Sequence, residues 1–100
     1  MLYLVEQKHP PNLCSGVNDD VAKIFVDAWN QRDKSLQEFG VKLVGNYANP
    51  PEHKLYLVLE SKDIESVQDV VMKMCLHKWG DVLTKPVVSF DEAIKKVVKM

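Results

Sequence analysis

Few side chains in this sequence can offer a metal an imidazole or a thiolate: His9, His53, His77, Cys14 and Cys75. They fall in three short stretches. "KHPPNLCSG" (residues 8–16) sets His9 and Cys14 around two prolines. "NPPEHK" (49–54) puts Glu52 and His53 after another proline pair. "CLHKWGD" (75–81) carries Cys75, His77, Lys78, Trp79 and Asp81. Imidazole nitrogen and thiolate sulfur suit zinc, copper or iron. His9, Cys14 and His53 would supply three such donors. Glu52 could add an oxygen ligand or stand behind His53 as its hydrogen-bond partner, and His77 could be a further addition. The spacing H-x4-C matches no strong metal motif.

Two other readings stand beside the metal one. Cys14 lies shortly before an expected helix start, where the helix dipole lowers a thiol pKa, and a nearby histidine would act as its base. Alternatively, the prolines only punctuate loops, the histidines are exposed loop residues and Cys14 is a small apolar plug. For His77 the plain reading is a cation near a helix C-terminus. Tyr56 and Glu60 fall on one face of an expected strand. They are acid–base candidates if that face lines a cavity; otherwise Glu60 is a solvated strand end.

The elements that must position these residues follow from pattern and punctuation. Leu2 to Lys8 reads as a strand, apolar through Val5, with Glu6-Gln7-Lys8 leading out of it. Pro10 and Pro11 stop regular structure, and Asn18 or Asp19 can cap a helix. From about Asp20 to Phe39 the period is helical. Val21, Phe25, Ala28, Arg32 and Phe39 share a stripe, and Gly40 stands where a C-terminal capping glycine belongs. Val41 to Tyr47 and Lys54 to Glu60 read as a hairpin around "ANPPEH". "SKDIESVQDVVMKMCL" is a second helix, with Ile64, Val67, Val70, Val71 and Met74 in its stripe and Ser61 or Asp63 as cap. Val82 to Val88 is a fourth strand, placed at an edge by Pro86. "SFDE" is a capping box for a short last helix, with Ser89 as N-cap and Glu92 at N3.

The order β-α-β-β-α-β plus a terminal helix is the ferredoxin-like split β-α-β arrangement. In it a right-handed crossover joins strands one and two, and strand three lies between them, antiparallel to both. The end of strand one, the hairpin and the start of strand four then share one edge of the sheet. That topology gathers every histidine and both cysteines at one end of the molecule, with His9 and His53 flanking adjacent strand ends.

At 100 residues the chain is expected to be one domain, residues 1–100. Its formal net charge of -1 and single arginine, Arg32, give no electrostatic reason to expect nucleic acid or an anionic membrane. The apolar run Leu2 to Val5 is too short for a signal peptide, and no segment is long enough to span a bilayer. A cytoplasmic location is the expectation, where a Cys14–Cys75 disulfide would be disfavoured.

Two helices on one face leave the other face of a four-stranded sheet uncovered. Yet the strands are apolar in both alternating sets: Leu2 and Leu4 with Tyr3 and Val5, Leu57 with Tyr56 and Val58. A large apolar face implies a partner, most simply a second copy packed sheet to sheet with the terminal helix securing it. The pieces "GVKLVGNY", "KLYLVLES" and "KPVVSFDEAIK" resemble small stand-alone proteins of the dimeric α+β barrel superfamily, of the kind with no assigned function. The resemblance implies an α+β, ferredoxin-like protomer with a four-stranded antiparallel sheet in a dimeric barrel. Relatives across that superfamily include cofactor-free monooxygenases, heme enzymes and lactone isomerases, but this chain matches no one catalytic set. The expectation is therefore a small homodimeric module that binds a small ligand or a transition metal such as zinc. The alternatives are a monooxygenase- or isomerase-like enzyme using Cys14, Tyr56 or Glu60, and a purely structural or regulatory dimer.

Overall fold

The structure, a computed structural model, describes residues 1–98. Its strands are β1 (Leu2–Lys8), β2 (Lys42–Asn49), β3 (Lys54–Glu60) and β4 (Asp81–Val87). Its helices are α1 (Asp19–Asn30), α2 (Arg32–Phe39), α3 (Ile64–Lys73) and α4 (Phe90–Val98). Short 3-10 turns occupy Pro11–Leu13, Pro50–Glu52 and Leu76–Lys78. The sheet order is β2-β3-β1-β4, with every neighbouring pair antiparallel. The fold is α+β and ferredoxin-like, as expected. β4 is an edge strand, which accommodates Pro86 without the loss of a ladder donor to a second neighbour.

Side-chain alternation divides the sheet into two faces. Tyr3, Val5 and Gln7 of β1, with Leu57 and Leu59 of β3, are buried beneath the helices. Val67, Val70, Val71 and Met74 close over them, joined by Val21 and Leu36. Leu59, fully buried, is a typical member. Truncating it to alanine removes buried area and leaves a cavity, a cost of about 2–5 kcal/mol.

Four local expectations change. The helix predicted from Asp20 to Phe39 is two helices, broken at Gln31. There the backbone leaves helical geometry (φ -102°, ψ 10°) and the Gln31 N–H turns back to the Ala28 and Trp29 carbonyls. Arg32 is not part of the apolar stripe. Its guanidinium donates to the Trp29 carbonyl at 2.9 Å and lies 4.6 Å over the Trp29 ring, which stabilises the break. The second predicted helix ends at Lys73, because Cys75 adopts a left-handed backbone (φ 62°). The chain then turns Leu76 and Trp79 into the core. In β1, Gln7 does not lead out of the sheet: it is 1% exposed.

The caps follow the chemistry of short polar side chains at helix starts. Asn18 Oδ1 accepts from the Val21 N–H, Asp63 Oδ1 from the Ser66 N–H, and Ser89 Oγ from the Glu92 N–H. Gly40 ends α2 with φ 66°.

On the opposite sheet face, Leu2, Leu4, Tyr56 and Val58 are half-buried, while Leu83 and Tyr47 are exposed. α4 leaves the body with Phe90, Ile94 and Val97 exposed along one stripe. The radius of gyration is 14.9 Å, against about 13 Å for a compact chain of this length.

Candidate metal centre

The sheet edge brings the proline-rich stretches together. Lys8 pairs with Lys54 on one side and Asp81 on the other, so β1 ends between the hairpin and the start of β4. The ladder continues one residue further: the His9 N–H donates to the His53 carbonyl at 3.1 Å. His9 and His53 are thus cross-strand neighbours tied by backbone. Pro10 and Pro11 then redirect the chain into the turn Pro11–Leu13, and Leu13 packs on the core. Cys14 is held on both sides. Its N–H donates to the Pro11 carbonyl, and its own carbonyl accepts from the N–H groups of Val17 and Asn18 at 3.0 and 2.9 Å. Asn18 also donates from its side chain to the Asn12 carbonyl, which locks the loop onto the start of α1.

His53 closes the hairpin turn. Its N–H donates to the Pro50 carbonyl, and its backbone is left-handed at φ 54°, ψ 49°. A residue with a Cβ adopts this region at a cost, so a histidine here is an outlier that the surrounding turn must hold.

One potential donor atom from each of His9, Cys14 and His53 lies within 4.8 Å of the other two. Three atoms so spaced share a centre no more than about 2.8 Å from each (4.8/√3). Bond lengths to zinc are roughly 2.0–2.3 Å for imidazole and thiolate, so modest side-chain movement would close a shell. Among the described residues this is the only such group of three or more His, Cys, Asp or Glu side chains.

The polar accounting at this spot is incomplete. His9 is 6% exposed, yet its Nε2 has no hydrogen-bond partner, and the buried Nδ1 of His53 has none either. Buried polar atoms are ordinarily paired, so two unpaired imidazole nitrogens beside a thiol make this spot a candidate ligand site; the buried Nε1 of Trp79, against His9, is unpaired as well. The other His9 nitrogen, Nδ1, lies 2.9 Å from Gln7 Oε1, and Gln7 Nε2 donates to the Leu76 carbonyl at 3.0 Å. Burial, and after it the charge on His53, push the His9 imidazole below its ordinary pKa. The neutral form that a metal requires is therefore favoured.

Aromatic rings wall the site. The His9 ring lies 5.6 Å from that of His53, edge-on at 73°, and 5.0 Å from that of Trp79. Trp79 in turn meets Phe25 at 5.4 Å. Beyond Phe25 lies an apolar cavity of about 260 Å³ between helix α1 and strands β2 and β3, with Trp29, Leu55, Tyr56 and Met74 in its lining.

The remaining candidates stand apart. Glu52 is exposed and pairs with Lys54 at 3.4 Å, so it does not join the donors or back His53. Lys54 also meets Glu6 at 3.7 Å; Glu6 first, then Glu52, raises the lysine pKa. His77 is exposed in the turn Leu76–Lys78 and lies outside the donor group. Cys75 Sγ points to the Lys73 carbonyl at 3.7 Å. Glu60 is exposed at the far end of β3. The residues that the sequence did not single out are Gln7 and Gly80. The period of two, which puts Gln7 on the buried face with Tyr3 and Val5, was the available signal.

With the geometry in place, comparison with known proteins adds a family and a set of folds. The family described as "Domain of unknown function (DUF3303)" matches residues 1–100. The chain belongs to the DUF3303 family. No curated protein matches it. Among solved structures, this DUF3303 chain is similar to 5-chloro-2-hydroxyhydroquinone dehydrochlorinase (TftG) from Burkholderia phenoliruptrix AC1100, in complex with 2,5-dihydroxybenzoquinone. The two share 12% identity and a TM-score of 0.57, over 92% of this chain and 98% of TftG. It is also similar to SCO4226 from Streptomyces coelicolor A3(2), at 15% identity and a TM-score of 0.55, over 87% and 99% of the two chains. The de novo designed protein Ferredog-Diesel gives 10% identity and a TM-score of 0.56, over 86% and 85%. Likeness at these identities establishes the ferredoxin-like fold alone, and activity does not transfer with a fold. No helix among the described residues is long and apolar enough to cross a membrane.

Proposed function

We propose that this DUF3303 chain is a small homodimeric module that binds one zinc ion per chain through His9 Nε2, Cys14 Sγ and a ring nitrogen of His53. The observation that carries the reading is that His9, whose buried Nε2 has no partner, offers one ring nitrogen within 4.8 Å of the Cys14 thiol and of a ring nitrogen of His53. Two imidazole nitrogens and one thiolate sulfur form a mixed donor set that suits zinc, and three protein ligands leave a fourth position for water or a small ligand. Neither Glu52 nor His77 completes the shell. The test is a zinc titration of tag-free protein by calorimetry, in wild type and in His9→Ala and Cys14→Ser. One site per chain in wild type and none in either variant supports the reading.

The dimer rests on two uncovered apolar surfaces of one chain: the sheet face bearing Leu4, Tyr56, Val58 and Leu83, and the α4 stripe of Phe90, Ile94 and Val97. A second copy, packed sheet to sheet and clasped by α4, covers both by one two-fold operation.

A second reading, an enzyme of monooxygenase or isomerase type, is favoured by the apolar cavity beside Phe25; Tyr56 borders it, but its side chain, alternating with Leu55 and Leu57, belongs to the opposite sheet face. Glu60 is not in that lining and plays no part in this reading. TftG holds 2,5-dihydroxybenzoquinone on a similar fold, so a small hydroxylated ring is the first probe to try. Saturable quenching of Trp29 fluorescence by such a ring would favour it.

A further inference from the structure

The third loop, "CLHKWGD", offers His77 as a possible further ligand, yet His77 stays outside the donor group. The loop contributes in another way. The Leu76 carbonyl accepts a hydrogen bond from Gln7 Nε2 at 3.0 Å. A carbonyl can only accept, so this bond decides which end of the Gln7 amide is which. The NH2 faces Leu76 and the oxygen faces His9. Gln7 Oε1 is 2.9 Å from His9 Nδ1. An amide oxygen also can only accept, so His9 Nδ1 must carry the proton. In the neutral ring, His9 Nε2 is then a bare lone pair, and it is the atom that lacks a partner.

Gly80 is an independent witness to the same arrangement. A Cβ at residue 80 would meet Gln7 Nε2 and the Lys8 carbonyl oxygen at 2.8 Å, and Gln7 Cδ at 2.9 Å. The backbone at Gly80 is not left-handed, so no conformational demand calls for glycine there. The glycine leaves room for the glutamine amide. Gln7 itself is 1% exposed in a strand whose neighbours on that face are Tyr3 and Val5. Burying an amide at such a position is costly unless both ends are satisfied, as they are here.

We infer that Gln7 is a positioning residue: anchored by the Leu76 carbonyl and housed by Gly80, it fixes His9 as the Nδ1–H tautomer and presents the Nε2 lone pair toward Cys14 and His53. This deepens the zinc reading and rests on it only for the consequence in affinity. Partners of this kind behind a ligating histidine set its tautomer and ring orientation, and their loss weakens metal binding by about 10- to 100-fold.

The experiment is a long-range 1H–15N correlation spectrum of the metal-free protein at mildly alkaline pH, paired with zinc titrations, for wild type, Gln7→Leu and Gly80→Ala. The expected wild-type spectrum has His9 protonated on Nδ1 and bare on Nε2. Gln7→Leu loses that preference and binds zinc about 10- to 100-fold more weakly. Gly80→Ala, which keeps the glutamine but crowds its amide and, equally, the Lys8 carbonyl, shifts in the same direction. If Gln7→Leu does not fold, the wild-type and Gly80→Ala spectra carry the test. A wild-type His9 protonated on Nε2 overturns the inference, as does a folded Gln7→Leu variant that retains the Nδ1–H form. An altered tautomer with undiminished zinc affinity overturns the claim that the tautomer serves ligation. If zinc binds none of the three proteins while the tautomer responds as expected, the zinc reading falls and the positioning role of Gln7 stands.

Discussion

His53→Gly should make the metal-free protein more stable and the zinc site useless. His53 sits at φ 54°, ψ 49° at the end of the hairpin turn. A left-handed backbone costs a residue with a Cβ about 1–2 kcal/mol, and glycine escapes that cost. The substitution also removes the buried Nδ1 that has no partner, an unsatisfied group of a kind that costs about 1–3 kcal/mol. Against these stand the edge-on contact with His9 and the greater freedom of glycine in the unfolded chain, the latter about 0.5–1 kcal/mol. The balance favours the variant by about 1 kcal/mol, a rise in melting temperature of about 4–8 °C for a chain of this size. Thermal unfolding followed by circular dichroism, with a chelator and then with excess zinc, reads both effects. Wild type gains stability with zinc and the variant does not. A His53→Gly protein that melts lower than wild type in chelator would refute the reasoning that this turn sacrifices stability for a ligand.

Other outcomes follow from the same contacts. Asn18→Ala removes the α1 cap and the side-chain bond to the Asn12 carbonyl. It should cost about 1 kcal/mol in urea unfolding and loosen Cys14, so that iodoacetamide labels the metal-free thiol faster than in wild type; an unchanged rate would argue that the cap does not hold the loop. The folded His9 ring has its pKa lowered by burial, so as pH falls the unfolded chain takes up this proton first. The corresponding stability is complete above about 6.5 and is lost as pH drops toward the folded value. The urea midpoint of metal-free protein should therefore fall between about pH 7.5 and 5.5, and less so in His9→Gln; equal slopes would contradict the assignment. Val58→Glu, on the uncovered sheet face, should halve the mass seen by light scattering at micromolar concentration without changing the circular dichroism spectrum, and a wild-type protein already monomeric there would remove the dimer from the account.

Much of this arrangement is legible in the residues. The apolar runs Leu2–Val5 and Leu55–Leu59, the helical stripes between them, the glycine after Phe39 and the proline pairs together define a ferredoxin-like order. That topology alone puts His9 beside His53. The register of Lys8 against Lys54 then makes them neighbours. Other features depend on contacts that a pattern does not carry. The break at Gln31 has no proline or glycine to announce it; it is held by Arg32 reaching back to Trp29. Glu52 lies next to His53 in sequence, but Lys54 offers its carboxylate a nearer charge. The working residues of the third loop are a backbone carbonyl at Leu76 and an absent side chain at Gly80. Neither has a chemical signature in a one-letter code, and Gln7 looks like a strand end until its alternation with Tyr3 and Val5 is followed.

Whether His9, Cys14 and His53 form one zinc site is read out by elemental analysis of dialysed, tag-free protein after exposure to equimolar zinc. One zinc per chain in wild type, retained through dialysis, and none in Cys14→Ser is the expected result. Wild-type protein that emerges free of zinc, with a melting temperature unmoved by the added metal, would contradict it.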